Sequence, residues 1–283
     1  MKKFERDFYV KRSDRDQAIK KLKSEPMFEY LSADIREGVV FPAIRGKNEI
    51  HFYCMGARLC VFSGKKLQQW HNTEEAPKNK YEYDQRKEAC KKWGKTKKGN
   101  EKERATLSYY YKAFSPYTSN QSHFVLLDME VGFPCLSEDK RDNVQVDLLF
   151  LDAENAVLYF IEAKEAGDGR IKKLPESGET DDTLYERLEV SEQVKKYCSN
   201  LEKREGEIIT AYKNYVDVVR EIFNASLDVD VEKLTIYPRL KLLVYGNPTP
   251  YGQDCLKAMA AILGEDLIEK PDARSLLEDD IVT

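Results

Sequence analysis

The chain has 283 residues, of which 41% are hydrophobic and 34% charged, and its 46 Lys and Arg against 50 Asp and Glu give a formal net charge of -4. That length provides one large domain or two modest ones with real cores, and with only 14 Gly and 10 Pro it excludes a collagen-like or mainly disordered chain. No apolar run approaches a membrane span, and the opening MKKFERDFYVKRSDRD carries charge where a secretory signal would be apolar, so a soluble cytoplasmic protein with no membrane partner is expected.

Residues 14–31 predict an amphipathic helix, with Ile19, Leu22, Met27, Phe28 and Leu31 at helical spacing. Three β-rich runs follow at 39–44, 49–55 and 58–63, separated by Gly46-Lys47-Asn48 and Gly56-Ala57, which predicts an antiparallel meander. Residues 72–100 have little apolar periodicity and read as a linker or mobile insertion ending in the basic cluster Lys91, Lys92, Lys95, Lys97 and Lys98. Beyond it, 101–113 predict a helix and 124–131 a strand. The runs 144–152 and 156–164 predict two apolar strands joined by a tight Ala153-Glu154-Asn155 turn. Helices are predicted over about 182–201 and 205–225, then a buried strand over 239–246 and a helix over 251–264 closed by Gly264. Two regions result: a basic α+β region over 1–100 and an α/β domain over 101–283.

Charge divides in the same way. Residues 1–120 carry 27 Lys and Arg against 16 Asp and Glu, a balance of +11, and residues 121–283 carry 19 against 34, a balance of -15. The basic part could face a polyanion or simply be a solvated lysine-rich surface. Its residues Phe52, Tyr53, Arg58, Lys65, Lys66, Trp70, Tyr81 and Tyr83 fit either an aromatic platform for single strands or the core of the meander. Six cysteines are scattered without a C-x-x-C, and His51, His71 and His123 lie far apart, so neither a zinc site nor a hydrolase triad is supported.

The chemistry concentrates between Val144 and Glu165. In YFIEAKE, Glu162 and Lys164 are two apart and share a strand face, and the tight connection makes Asp147 of the preceding strand their antiparallel neighbour. Unpaired charges in so apolar a setting are costly, so the group calls for a metal, a phosphate or water. Two carboxylates with the Ala163 backbone carbonyl suit Mg2+ or Mn2+, and a lysine beside them can hold the attacking water. An ordinary cross-strand ion pair at a sheet end is the competing reading.

Asp147, fourteen intervening residues, then Glu162-Ala163-Lys164 resembles the PD-(D/E)XK nuclease superfamily, the restriction-endonuclease-like fold. Gln193 and Tyr197, four apart on a predicted helix in SEQVKKYCSNL, resemble the Q-x-x-x-Y element of its RecB-like exonuclease branch; the plain alternative is an amphipathic helix surface. The resemblance implies an αβββαβ core with a mixed central sheet over roughly 101–265. It also implies hydrolysis of nucleic acid, DNA favoured over RNA, to 5′-phosphate and 3′-hydroxyl ends with Mg2+ or Mn2+. Asp147, Glu162 and the Ala163 carbonyl would bind the metal, Lys164 would position water, and Gln193 and Tyr197 would orient water or substrate. An earlier acid is also implied; Glu130 is favoured over Glu101 or Glu103, with Asp128 a weaker candidate. Val146 stands where the name-giving proline would be, and only Cys255 lies where an iron–sulfur cluster would need three cysteines, so no cluster is expected. A homodimer is among the assemblies the resemblance allows. The alternative from another class is a non-catalytic nucleic-acid-binding or protein-assembly subunit on the same fold.

Overall fold

The computed structural model describes residues 3–282 except 47, 72, 74, 96–102, 119–121, 135–143 and 226. The first helical stretch is broken in two, α1 (Arg12–Ser24) and α2 (Phe28–Arg36). The single helix expected over 14–31 overlooks Pro26, whose ring forces Glu25 into the extended region, φ -66 and ψ 131. The meander forms as expected: β1 (Val40–Arg45), β2 (Glu49–Cys54), β3 (Ala57–Phe62) and a short β4 (Leu67–Gln68) pair antiparallel in chain order.

The segment expected to be a linker contains α3 (Lys80–Trp93). Asn79 caps it by accepting from the Glu82 N–H, and its inner face docks through Tyr83, whose hydroxyl donates to Asp34 at 2.7 Å, and Lys87, which pairs with the same carboxylate. Two buried residues, Tyr83 and Cys90, on a mostly charged helix are too few to give a periodic signal. The platform reading fails here for most of its aromatics. Phe52, Tyr53, Trp70 and Tyr83 are buried, leaving Tyr81 exposed, so these rings are chiefly core.

Short helices α4 (Glu103–Leu107) and α5 (Tyr110–Ala113) lead into a second, mixed sheet. Its strands β5 (Phe124–Phe133), β6 (Val144–Asp152) and β7 (Val157–Glu165) are antiparallel neighbours, and β9 (Lys241–Tyr245) and β10 (Leu267–Lys270) extend it in parallel beyond β7, while β8 (Thr235–Ile236) also pairs with β7. The β6–β7 turn is held by Asp152, whose carboxylate accepts from the N–H groups of Glu154 and Asn155. Between β7 and β8 run α6 (Asp181–Arg187) and α7 (Glu189–Phe223); α8 (Pro250–Leu263) follows β9 and ends at Gly264, φ +55. The two helices expected over 182–201 and 205–225 are thus misdivided, because α7 runs unbroken for 35 residues. Its polar middle stays helical since Arg204, 1% exposed, donates to the Pro134 carbonyl and to Glu207.

Strand alternation sets the faces of this sheet. Phe150 meets Tyr110 and Phe114, whereas Phe160, paired with Leu149, meets Tyr212 of α7. α7 therefore covers the face that Asp147, Glu162 and Lys164 share. The meander is not a separate lobe: its buried side chains belong to the same apolar cluster as the second sheet, with Phe41 stacked on Tyr111 at 5.2 Å and Phe52 edge-on to Phe223. The chain's described cysteines are free thiols, and burial raises those of Cys54, Cys60 and Cys90, which keeps them protonated and unreactive. No helix among the described residues is long and apolar enough to cross a membrane.

Candidate active site

Asp147 lies on β6 and Glu162 and Lys164 lie on the last turn of the β7 pleat, where they meet. The Asp147 Oδ2 accepts from the Ala163 N–H at 2.9 Å. Lys164 Nζ donates to Glu162 Oε1 and to the Ala163 carbonyl at 3.0 Å, and lies 3.9 Å from Asp147 Oδ2. Glu162 and Lys164 are each only 2% exposed. From α7, Gln193 Nε2 donates to Glu162 Oε1 at 2.7 Å and to the Tyr197 hydroxyl at 2.6 Å, and Tyr197 in turn donates to the Gln145 carbonyl on β6 at 2.8 Å. The sheet and the helix are thus tied by one hydrogen-bonded chain running through the carboxylates.

Two buried oxygens in this chain, Glu162 Oε2 and Gln193 Oε1, have no hydrogen-bond partner. Leaving such atoms unpaired is costly unless a ligand completes them. The charge balance agrees. Burial pushes the Glu162 carboxyl up, the Asp147 charge pushes it further, and Lys164 opposes both. Asp147 is likewise raised by burial, against the pull of Lys164 and the Ala163 N–H. The Tyr197 hydroxyl is raised by burial and by the charge of Glu162. One lysine does not balance this many carboxylates.

Among the described residues no group of three or more His, Cys, Asp and Glu side chains converges on a single point that could hold an ion. The donors that do meet are two carboxylates and one carbonyl, a hard-oxygen set of the kind that leaves several positions to water. Lys164 tests the fit: its ammonium lies against Glu162 and the Ala163 carbonyl and near Asp147, a positive charge standing among the three proposed metal donors. Those oxygens are the ones Mg2+ or Mn2+ would need, and here the lysine ammonium is their cation.

The early acid has two placements in the structure. Glu130 stands opposite Asp147 in the β5–β6 register, with the left-handed φ of +49, and feels the Asp147 charge, but its carboxylate is engaged by Arg104 Nε at 2.7 Å. Glu103 on α4 is raised by burial and then by the Asp147 charge, it contributes to the shift of Glu162, and its Oε1 is buried without a hydrogen-bond partner. Glu103 is thus electrostatically coupled to both carboxylates of the set, and Glu130 to Asp147. Glu101 lies outside the described residues. Asp128, the weaker candidate, is a structural acid: fully buried, it accepts from Arg6 Nε at 2.9 Å, Arg45 Nη1 at 2.7 Å and the Tyr212 hydroxyl at 2.9 Å.

Sequence reasoning overlooked Arg170, which follows β7 in the loop Gly167-Asp168-Gly169-Arg170. It pairs with Asp168 and feels the charges of Glu103 and Glu162, at the edge of the site. The available signal was a basic residue directly after the Gly-Asp-Gly run that follows the E-x-K strand. Of the basic cluster, Lys91 and Lys92 lie near the end of α3 and Lys95 just after it, all exposed, with Lys91 paired to Glu88 at 2.6 Å; Lys97 and Lys98 lie outside the described residues. None of the described three contacts the Asp147–Glu162 group. No protein-family model matches the chain, and comparison with curated proteins and with solved structures gives no match.

Proposed function

We propose that the protein is a metal-dependent nuclease of the PD-(D/E)XK type with a restriction-endonuclease-like core, hydrolysing nucleic-acid phosphodiesters. One observation carries the reading. Asp147, Glu162 and Lys164 from adjacent strands share one buried hydrogen-bonded group with Gln193 and Tyr197 from α7. The strand and helix order α4–α5, β5, β6, β7, α7, β9 supports it, since that is the αβββαβ order the resemblance implies. An ordinary surface ion pair has no need of a 2% exposed lysine and glutamate.

Asp147, Glu162 and the Ala163 carbonyl would hold Mg2+ or Mn2+, with Glu103 or Glu130 reaching the ion directly or through water. The bound ion supplies a water of lowered pKa and neutralises charge on the phosphate. Lys164, displaced from its present contacts, holds the attacking water and faces the developing negative charge. Gln193 fixes the Glu162 oxygen it donates to, and Tyr197 anchors Gln193 against the backbone of β6. DNA is favoured over RNA as substrate, with 5′-phosphate and 3′-hydroxyl products.

The rival is a non-catalytic binding or assembly subunit on the same fold, and metal affinity separates the two. An ion that binds the native state alone raises the melting temperature, by the equivalent of about 2.7 kcal/mol at a hundred times its Kd. Mn2+ should therefore raise the melting temperature of wild type and not that of Asp147→Asn. Absence of any shift in wild type favours the rival.

A further inference from the structure

Between the meander and α4 lies a second, separate cavity of about 350 Å3, lined among others by Arg58, Trp70, His71, Trp93, Arg104 and Glu130. Its wall on the side of the second sheet is Glu130 of β5, paired with Arg104 of α4 at 2.7 Å. Consecutive residues of α4 face the carboxylates and the cavity: Glu103 is coupled to Asp147 and Glu162, while Arg104 lines the cavity and lies close enough to Asp147 to lower its carboxyl. Glu130 also lines the cavity, opposite Asp147 across the β5–β6 pair.

The lining has the chemistry of a nucleotide. Arg58 is exposed and offers guanidinium charge to a phosphate, and Arg104 is half-exposed with its Nε held by Glu130 at 2.7 Å. Trp93 presents an indole that is 37% exposed, and Trp70 beside it has a buried Nε1 with no hydrogen-bond partner. The volume is at the small end of ligand sites, about 300–1,000 Å3, which suits one nucleotide and not a base pair. We propose that this cavity receives a single unpaired nucleotide of the strand whose phosphodiester lies at the Asp147–Glu162 site, with its base on Trp93 and its phosphate between Arg58 and Arg104. The substrate class is then single-stranded nucleic acid, or a duplex with an unpaired or extruded nucleotide beside the cut. The proposal rests on the nuclease reading for what lies at the carboxylates, but not for binding in the cavity.

The protein carries its own reporter, because both of its tryptophans line this cavity. Full-length protein is titrated in EDTA with a short single-stranded deoxyoligonucleotide, the same strand made abasic throughout, and the corresponding blunt duplex, reading tryptophan fluorescence. The intact single strand should give a saturable change, and the abasic strand and duplex should not. Arg58→Glu should weaken binding about tenfold, and Trp93→Ala, followed by anisotropy of a labelled strand, about fivefold or more, the scale of one base–aromatic stack. Binding is read in EDTA without any cleavage, so a failed nuclease assay leaves this test standing. Equal response to the abasic strand or duplex, or unchanged affinity in Arg58→Glu, overturns the proposal.

Discussion

Two aspartates on neighbouring strands show how surroundings decide what a buried carboxylate does. Asp128 is more deeply buried than Asp147, yet Arg45 and Arg6 outweigh the burial and hold its carboxyl below the usual range. Asp147 shares one lysine with Glu162 and is raised. Because the folded protein keeps Asp128 ionised at pH values where the unfolded chain protonates it, its contribution is complete above the unfolded value, about 3.9, and is lost as pH falls through the depressed folded value. Asp128→Asn leaves two arginines facing a neutral amide and should cost about 3–5 kcal/mol at pH 7. In urea denaturation that deficit should shrink as the pH is lowered below about 4, and a deficit unchanged there would contradict the assignment. The sequence shows that both aspartates interrupt apolar strands. It cannot show which of them meets arginines, because Arg6 and Arg45 arrive from 122 and 83 residues away.

At the level of elements, local pattern was a good guide where apolar residues alternate and a poor one where polar side chains find distant partners. β6 matches its expected bounds of 144–152, and β7 is shifted by a single residue. Helix α3 and the middle of α7 were missed for one reason: Lys87 and Arg204 look solvated in sequence and are paired in the fold. For the early acid the sequence leaves strand and helix both open, and the fold brings both toward the site: Glu130 on β5 and the buried Glu103 on α4 each feel the Asp147 charge. The position of α4 depends on the meander. Gly56, at φ +71, closes the β2–β3 turn so tightly that a Cβ there would lie 2.6 Å from the Arg104 backbone. Gly56→Val must therefore push α4 away, taking Glu103 and Arg104 with it. Melting temperature and Mn2+ affinity should fall together; loss of stability with metal affinity intact would show that α4 contributes nothing to the ion site.

For the whole molecule, a net charge of -4 conceals a basic meander region and an acidic sheet joined by one apolar core. At the α4 junction a few of these charges meet: Arg58, Arg104 and Glu130 line the cavity, and Glu103 turns toward the carboxylates. The change of composition near residue 100 is legible in the sequence. The packing of Phe4 on Phe133 and Phe41 on Tyr111 across it is not, because contacts this distant leave no local trace. The central claim is that the carboxylate–lysine group cuts phosphodiesters, and Lys164 tests it most directly. Wild type and Lys164→Ala are incubated with single-stranded DNA, duplex DNA and RNA, with Mg2+, Mn2+ or EDTA. Wild type should cleave DNA only with metal, and the variant, with its fold checked by circular dichroism, should lose roughly 10²–10³-fold in rate. Cleavage that persists in the variant, or no cleavage by wild type on any of the three substrates, would contradict the account.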